Sequence, residues 1–184
     1  MDHEAELRRY LGMLASCGHD DTEGRYGSIA GMLLDKGATF TGPGEPLTDA
    51  EMMLIDVACG MWPDYAVKEC YFNAQRLAYF TDQRLRYFEG YAQGLAMIPV
   101  PHAWVVTACN KVIDLTWRRF DREPFGHPNP GAWDTRFAVG TMPEEGIYLG
   151  VEIDASDALA RMHLHESCIP YLDDWKGGWP LLAR

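Results

Sequence analysis

Apolar residues recur at steps of three and four from the start of the chain. Leu7, Tyr10, Leu11 and Leu14 share one face and predict a helix over 3–16. The polar run 17–24 interrupts it. Ile29, Met32, Leu33 and Leu34 predict a second helix over 25–35, which Gly37 stops. The stretch 39–49 holds two Pro and two Gly and reads as a loop. Thr48 and Glu51 have capping-box spacing ahead of Met52, Met53, Ile55, Val57 and Ala58, so a helix is expected over 49–60. Residues 60–69 are irregular in pattern. From Cys70 the run CYFNAQRLAYF reads as a helix with Ala74, Leu77 and Ala78 turned inward.

The pattern then changes to strands. Residues 84–95 read as one strand, 103–107 as a second and 112–117 as a third, with a tight turn at CNK that makes the last two a hairpin. If 108–111 form the turn, Thr107 lies near Val112 and Trp104 near Asp114 or Leu115. Residues 118–146 are rich in Gly, Pro and single aromatics and read as one long excursion, a kind of segment that often carries function. A strand over 148–153 follows, then a helix opened by Asp154 with Asp157 and continued by Leu159, Met162 and Ile169. The pattern predicts an α+β fold: helices first, then a small antiparallel sheet, then a helix. It is expected as a single domain over 1–184, with a helical part over about 1–62 and a strand–helix extension over about 147–184.

Composition narrows the class. The chain is 47% hydrophobic and 23% charged, within the ordinary globular range and far from a disordered one. Twenty-seven acidic residues against sixteen basic ones give a net charge of -11, which repels nucleic acid and anionic membranes at long range. No nucleic-acid or membrane partner is therefore expected. The five cysteines are odd in number and lack CxxC or other metal spacing. The charged start is unlike a secretory signal. These features point to reduced thiols in the cytoplasm, or in a host cytoplasm if the source is viral.

Three residues then attract attention. Cys70 stands where a loop enters a helix, and the free amides and dipole of a helix N-terminus stabilise a thiolate and a developing oxyanion. His102 opens a strand after a Pro-containing turn, and Asp114 lies on the next strand across the hairpin. A thiolate nucleophile, an imidazole that carries the proton and a carboxylate that orients the ring are the parts of a cysteine triad. Each residue alone also fits an ordinary structural role: a buried thiol, a satisfied histidine, an edge aspartate.

The segment 68–117 resembles the core of the transglutaminase-like superfamily, within the papain-like fold class. The matching pieces are Cys70, Gly90-Tyr91, His102-Ala103-Trp104 and Asp114-Leu115-Thr116-Trp117, in order. The resemblance implies a nucleophile helix packed on an antiparallel sheet, with Cys70 as nucleophile, His102 as general base and acid, and Asp114 as the orienting acid. It departs at Lys68-Glu69-Cys70, where the family often has Gly-x-Cys. A calcium loop of the EF-hand type is also missing, which argues against a large calcium-regulated crosslinking enzyme.

The expected activity is acyl transfer or hydrolysis at an amide or peptide bond, by a peptidase, amidase or small transamidase without a cofactor. The substrate would be a peptide, a protein or a small amide. The alternative is a non-catalytic protein-binding module that keeps the fold. Trp62, Tyr65, Tyr91 and His127 are the candidate substrate-binding residues. Trp62 and Tyr65 are also possible oxyanion donors, since no Asn or Gln precedes Cys70. Asn73 either holds the preceding loop or faces solvent, and Trp104 is expected to pack. A third reading, a metal-dependent hydrolase built on His163, His165 and Glu166, lacks the i, i+4 histidines of a zinc-protease helix. No metal site is assigned.

Overall fold

The computed structural model describes residues 2–17, 26–41, 45–61, 69–93, 98–116, 146–154 and 170–172. The helices are α1 (His3–Cys17), α2 (Ile29–Lys36), α3 (Asp49–Met61) and α4 (Cys70–Phe80); the strands are β1 (Ala38–Thr41), β2 (Arg86–Gln93), β3 (Val100–Val106), β4 (Val112–Ile113) and β5 (Ile147–Ile153).

The helix starts follow local chemistry. The Ser28 side chain accepts the Gly31 N–H at 3.0 Å and caps α2, so that helix begins at Ile29 rather than 25. Glu51 accepts the Thr48 N–H at 2.7 Å while Thr48 accepts the Glu51 N–H at 3.3 Å, the reciprocal capping box expected for α3. α4 has the bounds that its apolar pattern predicts.

The strands form one antiparallel sheet in the order β1-β5-β2-β3-β4. Two expectations are corrected here. Residues 38–41 are not loop: they form edge strand β1, with Phe40 opposite Tyr148. The breaker-rich sequence begins only at Gly42, and Thr39 and Thr41 are good strand formers. The sheet is also not a block that follows the helices, because β1 precedes α3 and α4 in the chain and joins the sheet through β5, the last strand. Strand ends shift too. β2 begins at Arg86, β3 begins earlier than predicted at Val100, and β4 pairs only through Val112 and Ile113.

Alternation divides the sheet into two faces. Tyr87, Ala103, Val105, Ile113, Ile147, Leu149, Val151 and Ile153 join buried residues of α1, α2, α3 and α4 in the main core. The opposite face carries a second buried cluster of Phe88, Ala92, Trp104, Val106, Val112 and Tyr148, with Phe40 beside it. This face depends on close backbone approach. A Cβ on Gly150 would lie 2.4 Å from Trp104 Cη2 and 2.5 Å from the Glu89 carbonyl oxygen, and one on its cross-strand neighbour Gly90 would lie 2.1 Å from the Leu149 carbonyl oxygen. The two glycines let the Trp104 indole lie over the strands, stacked on Phe88 at 6.0 Å between ring centroids.

Buried Glu89 sits on the helix-facing side. It accepts the Tyr87 hydroxyl at 2.6 Å and the backbone N–H groups of Tyr171 and Leu172 at 2.9 Å each, which ties residues 171–172 to the core. The helix expected after Asp154, residues 118–145 of the expected excursion and Trp117 lie outside the described residues.

Candidate active site

Chain length sets the level of the site. α4 has eleven residues and so rises roughly 15 Å. After the turn through Asp82 and Gln83, both with positive φ, β2 returns beside it at ~3.3 Å per residue. Four or five strand residues bring the chain back to the level of Cys70, at Gly90-Tyr91. Gly90 pairs with His102 on β3, which places the imidazole at the same level.

Asp114 comes from the hairpin. Thr107 Oγ1 accepts the N–H groups of Cys109 and Lys111, each at 3.2 Å, and Asn110 takes a positive φ. This turn pairs Val106 with Val112 and Val105 with Ile113, one residue from the register that places Thr107 at Val112. The difference decides which side chains share a face. Continued one step, the pairing sets Asp114 opposite Trp104, so Asp114 and His102 are diagonal neighbours on one face.

They meet there. His102 Nε2 lies 2.6 Å from Asp114 Oδ2, with both side chains buried. Asp114 is held at both oxygens. The Tyr148 hydroxyl donates to Oδ2 at 2.8 Å, and the Thr116 N–H donates to Oδ1 at 2.8 Å. Stacked Trp104 (6.4 Å) and tilted Tyr148 (6.0 Å) wall the imidazole. Burial alone would lower the pKa of His102. The Asp114 charge and hydrogen bond outweigh it, neighbouring Cys70 adds to them, and the pKa rises from 6.5 to about 10. The carboxylate therefore favours the charged form of the ring. With Nε2 committed to Asp114, Nδ1 is the nitrogen left for Cys70.

Cys70 is the first residue of α4, is 7% exposed and is a free thiol. The preceding residue, Glu69, makes no side-chain cap. The amides of the first turn are thus not taken up by that side chain, and a helix start offers such groups to a developing negative charge.

Sequence reasoning left Asn73 with two possible roles; it is buried and donates through Nδ2 to Thr116 Oγ1 at 2.8 Å. Tyr148 was missed altogether, and its one signal is a phenol among alternating apolar residues next to Gly150. Its own hydroxyl pKa is raised well above the usual value by burial and by Asp114. Tyr91 is half-buried, and its ring centroid is 6.2 Å from that of Tyr10. Trp104 packs, as expected. Trp62, Tyr65 and His127 lie outside the described residues, as do His163, His165 and Glu166. No group of three potential metal ligands occurs among the described residues, and no described helix is long and apolar enough to cross a membrane.

No protein-family model, curated protein or solved structure matches this chain. The architecture itself is mixed α+β, with helices packed against a small curled antiparallel sheet.

Proposed function

We propose that the chain is a thiol enzyme of the papain-like, transglutaminase-like type that performs acyl transfer or hydrolysis at an amide or peptide bond. One arrangement supports the reading: a helix-terminal cysteine beside a buried imidazole, which a carboxylate with both oxygens occupied holds at Nε2 and favours in its charged form.

In this reading the Cys70 thiolate attacks the carbonyl carbon of a peptide, protein or small amide substrate. A tetrahedral oxyanion forms within reach of the first-turn amides of α4. The C–N bond breaks as His102 Nδ1 gives its proton to the leaving amine, and a thioester to Cys70 remains. Water or a second amine, losing its proton to His102, attacks the thioester and releases the acyl group and the thiolate. Asp114 keeps the ring oriented throughout and favours its charged form whenever the ring holds the second proton, without taking the proton itself.

The test is the alkylation rate of each cysteine at mildly acidic pH, with a small reagent that can reach a mostly buried thiol, located by peptide mass spectrometry. Exposed Cys17 and Cys109 serve as internal references. Cys70 is expected to react faster than both, and to lose that advantage in His102→Ala. Slow labelling of Cys70, indifferent to His102, would refute the proposal and favour a non-catalytic protein-binding module. With thiol reactivity established, release of amine from peptide amides should be abolished in Cys70→Ala.

A further inference from the structure

We infer that Asn73 and Thr116 are positioning residues that set the distance between the nucleophile helix and the triad acid. The inference rests on the thiol-enzyme reading and deepens it.

The N-terminus of α4 lacks a side-chain cap from Glu69. One turn further on, Asn73 is 1% exposed, beside Ala74 and Leu77, which both belong to the main core. An apolar residue would be the ordinary occupant, because a buried amide costs free energy unless it is hydrogen-bonded. Its Nδ2 crosses to Thr116 Oγ1 at 2.8 Å, and Thr116 gives its own N–H to Asp114 Oδ1, also at 2.8 Å. Two routes therefore join α4 to the carboxylate. One is chemical, through Cys70 and His102; the other is mechanical, through Asn73 and Thr116.

The mechanical route constrains the chemical one. With α4 and the 114–116 segment held by a second bond, the helix cannot slide or roll without stretching it. The gap that the imidazole must span between Cys70 and Asp114 is then fixed. An error of about 1 Å in such a gap can cost roughly 100-fold in rate.

The test needs no knowledge of the substrate. Asn73→Leu keeps the volume and removes the donor; Thr116→Val keeps the shape and removes the acceptor; Thr116→Ser keeps the acceptor. In each protein the pH profile of Cys70 alkylation is measured beside thermal unfolding, well below the melting temperature. At mildly acidic pH, labelling should fall roughly 10- to 100-fold in Asn73→Leu and in Thr116→Val. Thr116→Ser should restore most of it, and the double variant Asn73→Leu/Thr116→Val should lose no more than either alone, since both break the same link. Lower melting temperatures with an unchanged alkylation profile would make the contact structural and overturn the inference. A failure of Thr116→Ser to restore labelling would overturn it too. If wild-type Cys70 itself labels slowly, the thiol-enzyme reading fails first and this inference falls with it; the wild-type profile alone separates the two failures. Should Asn73→Leu not fold, Thr116→Val and Thr116→Ser still decide the matter.

Discussion

Replacement of Asp114 by asparagine tests the link between geometry and chemistry with the loss of one charge and almost no change of shape. In the native protein two effects oppose each other at His102. Burial disfavours the charged ring, and the Asp114 carboxylate, 2.6 Å away, favours it strongly enough to carry the pKa to about 10. The Asp114→Asn substitution would leave the burial and remove the carboxylate charge, with Cys70 alone still favouring the charged ring, so the His102 pKa should fall well below about 10. The neutral imidazole then gains over the charged one.

The orientation of the substituted side-chain amide is also determined. The Thr116 N–H must still be accepted, so the amide oxygen takes the place of Oδ1 and the amide nitrogen turns to His102 and Tyr148. Nε2 then has to accept, and the ring proton moves to Nδ1, the nitrogen that faces Cys70. The ring can no longer take a proton from the thiol. In acyl transfer by a triad, such a tautomer error lowers turnover by roughly 10⁴-fold. Ring-nitrogen NMR of the wild type and Asp114→Asn over a pH titration reads both the charge and the tautomer, and Cys70 alkylation reads the consequence. A ring that stays protonated near pH 8 in Asp114→Asn would refute this account, because something other than the carboxylate would then be holding the charge.

Other expectations follow from single contacts. Tyr148→Phe keeps the ring packing and deletes the hydroxyl bond to Asp114 Oδ2; denaturant unfolding should show a loss of about 1.5–3 kcal/mol, the usual range for a bond to a charged acceptor. Glu89→Gln loses the charge that accepts two backbone amides, so hydrogen exchange at the Tyr171 and Leu172 amides should speed up while exchange in α4 stays slow. Stability should depend on pH through His102. Its folded pKa is raised, so the contribution is complete below the unfolded value of 6.5 and is lost as pH climbs to about 10. The stability gap between the wild type and His102→Gln should be several kcal/mol near pH 6 and shrink steadily toward pH 10; a gap that widens over that range would contradict the assignment.

The site was more legible than the sheet. Cys70 at a helix start, His102 at the head of a strand and Asp114 across a short turn could be read because each sits at a local boundary that Gly, Pro or a change of period marks. Whether His102 and Asp114 share a face could not be read. That hinges on a one-residue choice of register, which the Thr107 hydroxyl makes by accepting two amides inside the turn. β1 was missed because its four residues run straight into the Gly-Pro segment and derive their order from β5, over a hundred residues away. Asn73 left a trace, an amide on the inward stripe of α4 at the position after Phe72. Its partner Thr116 lies 43 residues on, and only the folded hairpin brings the two together.

Two carboxylates are buried among the described residues, Glu89 and Asp114, while the other described acids are partly or fully exposed. They lie on opposite faces of the sheet, and their partners distinguish them. Among its described partners Glu89 receives two peptide amides and a phenol, donors that stay neutral and keep their protons, so through them its charge holds chain segments in place. Asp114 receives an amide and a phenol as well, but its third partner is an imidazole next to a thiol. Burial strengthens the electrostatics at both sites. Only at Asp114 does the strengthened field act on an imidazole, whose pKa it raises, and Cys70 stands beside that ring. A buried acid with neutral donors is an anchor; in the proposed thiol-enzyme reading, the same acid behind a histidine and a cysteine orients the ring that carries the proton.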